Sequence, residues 1–222
     1  PAGLLIGAVL PREDSRDCLV ARGGVTLEQL SSGARVGSSS LRRKAQLKKL
    51  RPDLEFCEMR GNVDTRVKKI ERGEMDAMVI AYAGLKRLGL AKCATEIFDP
   101  EIFLPQAGQG ALAVEIRASD SEARELAKPL NDELSAVCVS AERGFLKRLE
   151  GGCQVPAGIF SKVEEEQLKL KGAIFSLDGE REVTNRVSGA LSEAERLGIR
   201  LAEQLLESGG KEILEEIRNA QK

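Results

Sequence analysis

Residues 34–82 read ARVGSSSLRRKAQLKKLRPDLEFCEMRGNVDTRVKKIERGEMDAMVIAY and repeat one unit: a short apolar strand, a loop and an amphipathic helix. Ala34–Ser38 leads through Ser39 and Ser40 into a helix over Leu41–Leu50. Leu54–Arg60 leads through Gly61 and Asn62 into Val63–Arg72, and Asp76–Tyr82 leads through Ala83 and Gly84 into Leu85–Leu88. Strands alternating with helical patterns of about ten residues predict βαβ units and a largely parallel sheet.

On either side of this stretch the pattern changes. Pro1–Leu10 is mostly apolar and reads as a strand already inside a fold, so the chain is expected to be a piece of something longer. Leu104–Gly110 (LPQAGQG) is a Gly/Pro-rich passage before a further strand, Ala111–Arg117. Beyond it, Asp132 is placed to cap a helix whose apolar positions Leu134, Val137, Cys138, Ala141, Phe145 and Leu149 recur at helical spacing, and Gly151 and Gly152 stop it. Val155–Ser161, Gln167–Phe175 and Glu182–Gly189 are strand candidates, the last two joined by an Asp178-Gly179 hairpin signal. Ser192 and Glu195 form a capping-box pattern ahead of Ala194, Leu197, Leu201 and Leu205 on one helical face. This second half reads as a small α+β domain, with a boundary near Lys128–Asp132.

The 222 residues carry a net charge of −1, which gives no global attraction to nucleic acid or anionic lipid. Aromatics at 3% leave few rings for stacking bases. No apolar stretch reaches the roughly 20 residues of a membrane span. Five scattered cysteines, with no CxxC pair, point to a reducing, cytoplasmic setting rather than a disulfide framework. There is no histidine, which disfavours a zinc site and removes Ser-His and Cys-His nucleophile arrangements. Acid–base chemistry must rest on carboxylates, lysine or groups outside the chain.

From Arg35 to Arg72 twelve Lys/Arg face five Asp/Glu, although the whole chain is nearly neutral. Lys48, Lys49, Lys68 and Lys69 read most simply as solvated helix surface. Arg42, Arg43, Arg60 and Arg66 fall at strand ends or in the first turn of the following helix, where ligands of open α/β sheets bind. Helix N-termini attract anions and disfavour cations, so arginines there imply a bound anion or a surface ion-pair network. The guanidinium fork suits carboxylate or phosphate, with Ser38, Ser39 and Ser40 as further donors. A nucleotide phosphate is poorly supported, since neither GxxxxGK[ST] nor GxGxxG occurs.

Among the cysteines, Cys138 sits on the apolar helical face and reads as core, while Cys57 and Cys93 have no distinctive context. Cys153 lies in a Gly-Gly-Cys-Gln-Val-Pro loop where backbone can approach a ligand closely. No histidine activates it, and the preceding helix C-terminus disfavours a thiolate. Such a thiol suits an intrinsically reactive electrophile.

Five segments, in order along the chain, resemble the signatures of the porphobilinogen deaminase (hydroxymethylbilane synthase) family. They are Gly37-Ser-Ser-Ser-Leu-Arg-Arg43, Arg60-Gly-Asn-Val-Asp-Thr-Arg66, Ala83-Gly-Leu-Lys-Arg-Leu-Gly89, Leu104-Pro-Gln-Ala-Gly-Gln-Gly110 and Leu149-Glu-Gly-Gly-Cys-Gln-Val-Pro156. Pro11–Asp17 also resembles the hinge between that family's first two domains. The resemblance implies an α/β fold of type II periplasmic-binding-protein-like lobes with a parallel or mixed sheet. A C-terminal α+β domain with a three-stranded antiparallel sheet completes it. Residues 1–15 and 105–131 are then remnants of domain one and hinge, 16–104 domain two, and 132–222 domain three, with most of the N-terminal domain lacking.

The resemblance further implies deamination and polymerisation of four porphobilinogens to hydroxymethylbilane in tetrapyrrole (heme) biosynthesis, primed by a covalent dipyrromethane. It implies that Cys153 holds this cofactor by a thioether. Ser40, Arg42, Arg43, Arg60, Arg66 and Arg87 then bind acetate and propionate groups, and Ala81, Gly84 and Gln109 line the cleft. The partners implied are porphobilinogen, the growing polypyrrole chain and the lacking N-terminal segment, fused or separate, the complete enzyme being a monomer without membrane or nucleic acid. No metal is implied. The family's catalytic aspartate belongs to a His-Ser-Met-Lys-Asp motif that this sequence does not contain, so no catalytic residue is assigned here. Asp64 and Asp76 have no motif-based role. The rival reading is a non-catalytic binding-protein-like module that clamps a small anion.

Overall fold

The computed structural model describes residues 3–150 and 155–220. Along the chain run strand β1 (Leu4–Val9), β2 (Asp17–Ala21), β3 (Arg35–Gly37), helix α1 (Leu41–Leu50), β4 (Glu55–Cys57), α2 (Val63–Glu71), β5 (Ala77–Ala81) and α3 (Tyr82–Arg87). They are followed by β6 (Glu96–Ile97), β7 (Ala113–Arg117), α4 (Ser121–Ala127), α5 (Glu133–Arg148), β8 (Ala157–Glu164), β9 (Gln167–Phe175), β10 (Glu182–Ala190), α6 (Ala194–Leu205) and α7 (Lys211–Ala220).

The predicted strand–helix repeat forms a five-stranded sheet in the order β4-β3-β5-β2-β6. It is mixed rather than largely parallel: β3 runs parallel to β4 and β5, while β2 is antiparallel to both β5 and β6. The reversal comes from β2, a strand the repeat did not announce. Both faces of this sheet are covered. Leu19, Ala77 and Val79 pack with Leu47 of α1 on one side, and Cys18, Met78 and Ile80 pack with Val67, Ile70 and Leu85 of α2 and α3 on the other. With both faces buried, β2 and β5 carry apolar residues at successive positions instead of alternating.

The C-terminal half has the expected three-stranded antiparallel sheet, β10-β9-β8, with the β9–β10 connection carrying Asp178 and Gly179. Helices α5 and α6 pack on it through Phe145, Leu149, Leu197, Leu201 and Leu205. They cross closely because both contact points are glycine: a Cβ at Gly198 would stand 1.8 Å from the Ala141 carbonyl oxygen, and one at Gly144 2.5 Å from that of Glu195. Asp132 caps α5, its side chain accepting from the Ser135 amide at 2.8 Å.

Two local expectations are corrected. Leu134 is 55% exposed, not core: it lies on the stripe of Cys138, Ala141 and Phe145 but in the first turn of α5, one turn before the buried part of that stripe begins. The Ser192–Glu195 capping box does not form: Leu191–Glu193 make a 3-10 turn, and α6 begins after Glu193 with no side-chain cap. The stop at Gly151 and Gly152 lies outside the described residues, as do Pro1 and Ala2 of the first strand.

Strands β1 and β7 form a separate antiparallel pair, covered on one face by α4, where Gly7 meets Ile116 and Ala127. The two larger units are joined by direct packing. Ala45 of α1 and Leu104 pack against Ala173 and Phe175 of β9. The Ile159 amide donates to the Pro105 carbonyl at 2.9 Å. Lys48 belongs to this junction rather than to solvent, its Nζ donating to the Leu177 carbonyl at 2.9 Å, while Lys49 stays exposed, as expected, and pairs with Glu182 at the junction's edge.

Candidate functional site

The strand ends and first helical turns of the five-stranded sheet place the arginines where the sequence suggested, in two different environments. An open cleft of about 850 Å³ is lined by Arg43, Asn62, Asp64 and Arg66, with Gly61 and Gly84 at its backbone. Its apolar wall is Val63, Ile80, Ala81, Leu88 and Leu90. Arg66 donates from Nε to the Gly61 carbonyl at 2.7 Å, and among the described residues it has no carboxylate partner. Burial and the neighbouring Arg43 cation both pull its guanidinium below the usual arginine value. Asn62 begins α2 without a side-chain cap, leaving amides of the first turn uncapped beside these cations. The cleft thus combines unneutralised positive charge, helix amides and an apolar wall, which suits a flat, anionic, ring-bearing ligand.

Behind the cleft the charges are neutralised inside the protein. Asp17, at the start of β2, is fully buried. Its Oδ2 accepts from Arg42 Nη1 at 2.7 Å, and its Oδ1 accepts from Arg43 Nε at 2.9 Å and Gln109 Nε2 at 3.1 Å. The anion expected beside the consecutive arginines is therefore supplied in part by the chain itself. Burial alone would raise the Asp17 carboxyl, but Arg42 and Arg43 hold it below the usual carboxylate range. Arg42 is only 2% exposed and also donates to the Leu104 carbonyl, while its Nε has no partner among the described residues. Gln46 fixes Leu104 from both sides, accepting from its amide at 2.7 Å and donating to its carbonyl at 3.1 Å.

A second buried carboxylate anchors the same loop. Glu142 of α5 receives a bidentate pair from Arg12, at 2.7 and 2.9 Å. It also accepts from the Gly108 amide at 2.6 Å and from Ser161 Oγ at 2.5 Å. Arg12 Nε donates to the Gln109 carbonyl at 2.9 Å, so Gln109 is held through its backbone by one cluster and through its side chain by the other. The 105–110 loop is the link between the C-terminal domain and the cleft arginines.

Of the residues singled out from sequence, Arg43, Arg66, Ala81 and Gly84 share the cleft, and Arg42, Arg43 and Gln109 share the Asp17 cluster. Ser40 caps α1, accepting from the Arg43 amide at 3.4 Å. Arg60 is exposed, beyond β4. Arg87 is exposed and donates to the Gly110 carbonyl at 2.7 Å, tying α3 to the 105–110 loop. Cys153 lies outside the described residues. Asp17, Glu142 and Arg12 were not singled out. Two of them carry a signal: Asp17 opens an otherwise apolar strand, and Glu142 stands between Ala141 and Phe145 on a buried helix face.

Among the described residues no group of three His, Cys, Asp or Glu is placed to hold a metal, and no helix is long and apolar enough to cross a membrane. Comparison with known proteins gives a consistent assignment. The family described as "Porphobilinogen deaminase, dipyromethane cofactor binding domain" matches residues 1–125, and "Porphobilinogen deaminase, C-terminal domain" matches residues 136–207. The chain is 47% identical over 218 residues to a porphobilinogen deaminase of Carboxydothermus hydrogenoformans, covering 98% of this chain and 70% of that protein. It is 50% identical over 208 residues to the Roseiflexus castenholzii porphobilinogen deaminase, covering 93% and 68%. A YaeC-family lipoprotein structure from Enterococcus faecalis V583 aligns at 18% identity over 68% of this chain and 69% of its own, but its TM-score of 0.40 carries no weight. With a cofactor-binding-domain match over more than half its length and relatives near 50% identity over almost all of it, the chain belongs to the porphobilinogen deaminase family.

Proposed function

We propose that these residues form the pyrrole-carboxylate face of a hydroxymethylbilane synthase, a transferase of tetrapyrrole biosynthesis that joins four porphobilinogens. The observation that carries this reading is the Arg43–Arg66 cleft, where two guanidinium groups share a half-apolar groove and Arg66 has no internal counter-ion among the described residues. Each pyrrole of a dipyrromethane or growing chain carries two carboxylates and a flat apolar ring. The donor set therefore fits that group: Arg43, Arg66 and the uncapped α2 amides for carboxylates, Ala81, Gly84, Val63 and Leu88 for rings. When bound, the dipyrromethane supplies the nucleophilic pyrrole carbon on which elongation begins.

In this reading Cys153 holds the cofactor by a thioether. Arg60 and Arg87 meet carboxylates from the exposed rim and Ser40 contributes from the α1 side, while Arg42 acts from behind the cleft through Asp17. Gln109 and Arg42, locked on Asp17, keep Arg43 turned to the cleft. The mixed sheet with its one reversed strand, β2, supports a binding-protein-like lobe for residues 16–104. The separately cored β8–β10 unit supports a domain over 132–222 that presents the cysteine loop. Residues 1–15 and 105–131 are then the connecting elements. No aspartate of this sequence matches the motif implied for stabilising positive charge on pyrrole nitrogens, so that role is assigned to none of them.

Intact-mass measurement and peptide mapping of protein matured in a porphobilinogen-producing cell test the reading. A dipyrromethane-sized increment on the peptide containing Cys153, with an Ehrlich-positive colour, is expected. A folded, unmodified protein from such cells, or an adduct on Cys18, Cys57, Cys93 or Cys138, contradicts it.

A further inference from the structure

We propose that Asp64 is a specificity-determining residue of the cleft, receiving the ammonium of an incoming aminomethyl-pyrrole while the arginines receive its carboxylates. This rests on the cleft being a pyrrole-carboxylate site, as proposed above. Asp64 is the carboxylate in the cleft lining, in the first turn of α2 and two residues before Arg66. Residues two apart on a helix do not face each other. Arg66 turns back to the Gly61 carbonyl instead, and Asp64 has no ion pair or hydrogen bond among the described residues. The other acidic groups near these arginines are already engaged: Asp17 by Arg42, Arg43 and Gln109, and Glu58 by Lys44.

The cleft therefore presents both signs of charge without letting them neutralise each other. A purely anionic ligand would gain nothing from Asp64 and would be repelled by it. Porphobilinogen has two carboxylates and one aminomethyl ammonium, so its charges complement Arg43, Arg66 and Asp64 together. A pyrrole already joined to the chain has lost its ammonia and with it this third contact. Asp64 thus distinguishes the monomer that must enter from the chain already bound. An acidic side chain in a first helical turn also favours the helix dipole. That role predicts loss of helix stability, with no dependence on the ligand's ammonium.

Isothermal titration of the wild type, Asp64→Asn and Asp64→Glu with two ligands separates these roles. One ligand is porphobilinogen, and the other is the same pyrrole with methyl in place of aminomethyl; thermal melts monitor folding. Because Asp64 is exposed, the expected loss is that of a partly solvated ion pair. Porphobilinogen should bind Asp64→Asn roughly three- to fivefold more weakly, the methyl analogue should bind unchanged or tighter, and Asp64→Glu should retain the preference. Equal losses for both ligands, or none for either, overturn the proposal. Failure of the wild type to bind either ligand overturns the reading of the cleft beneath it.

Discussion

Arg42 and Arg66 have similar sequence settings, each in a helical segment that follows a short strand, yet the fold uses them in opposite ways. Arg42 is buried against Asp17 and the Leu104 carbonyl, while Arg66 lines an open cleft with no carboxylate partner among the described residues. The buried clusters, Asp17–Arg42–Arg43–Gln109 and Glu142–Arg12–Gly108–Ser161, place opposite charges at hydrogen-bond distance and remove them from water. The cleft keeps its charges apart and available. A charge matched inside the fold holds the domains in place, and a charge left unmatched in a cleft is free to serve a ligand. Arg43 belongs to both regions and couples them.

The largest effect should come from the Glu142 cluster. Glu142→Ala leaves Arg12 without its partner and the Gly108 amide and Ser161 hydroxyl unsatisfied, and removing one member of a buried pair typically costs about 3–5 kcal/mol. Urea unfolding should show a loss of that order, and a loss below about 1 kcal/mol would mean that the cluster behaves like a surface pair.

Asp17→Asn should be comparable or somewhat smaller, because the amide oxygen can still accept from one arginine. This variant also carries a pH signature. The folded carboxyl is held below its unfolded value, so its contribution is complete above about pH 4 and is lost as pH falls through the lower folded value. Wild-type unfolding measured on acidification should lose stability in that window, and Asp17→Asn should flatten the slope. An unchanged slope would remove Asp17 from the account.

Lys49→Leu, which breaks an exposed pair with Glu182 at the junction of α1 and β10, should cost about 1 kcal/mol or less. A larger loss would place much more of the interdomain stability in that surface pair than the packing of Ala45, Leu104, Ala173 and Phe175 allows.

The alternation from β3 to α3 was readable because serine, asparagine and glycine punctuate each apolar run, and the helices between them are amphipathic. Strand β2 was not, since both its faces are buried and its run of Cys18, Leu19, Val20 and Ala21 has no period to recognise. Helix α7 was legible in principle from Ile213, Leu214 and Ile217 at helical spacing, and α4 from its Asp120 cap. At the site, strand-end arginines were readable from position alone. Their division into paired and unpaired was not, because the deciding partners are remote in sequence: Asp17 lies 25 residues from Arg42, and Glu142 lies 130 from Arg12. Nothing local tells Arg42 from Arg66. Similarly, Lys48 resembles Lys68 until the β9–β10 hairpin is folded against it.

Arg66→Leu measured for stability and for ligand binding on the same preparation tests the division most directly. The account predicts unfolding free energy within about 0.5 kcal/mol of wild type, since an unpaired cation repelled by Arg43 is lost. It predicts that affinity for porphobilinogen and for a dipyrromethane falls by about 2–5 kcal/mol. A variant that unfolds easily while its remaining folded fraction binds both ligands normally would contradict it, because Arg66 would then belong to the fold and the cleft would have no claim on its charge.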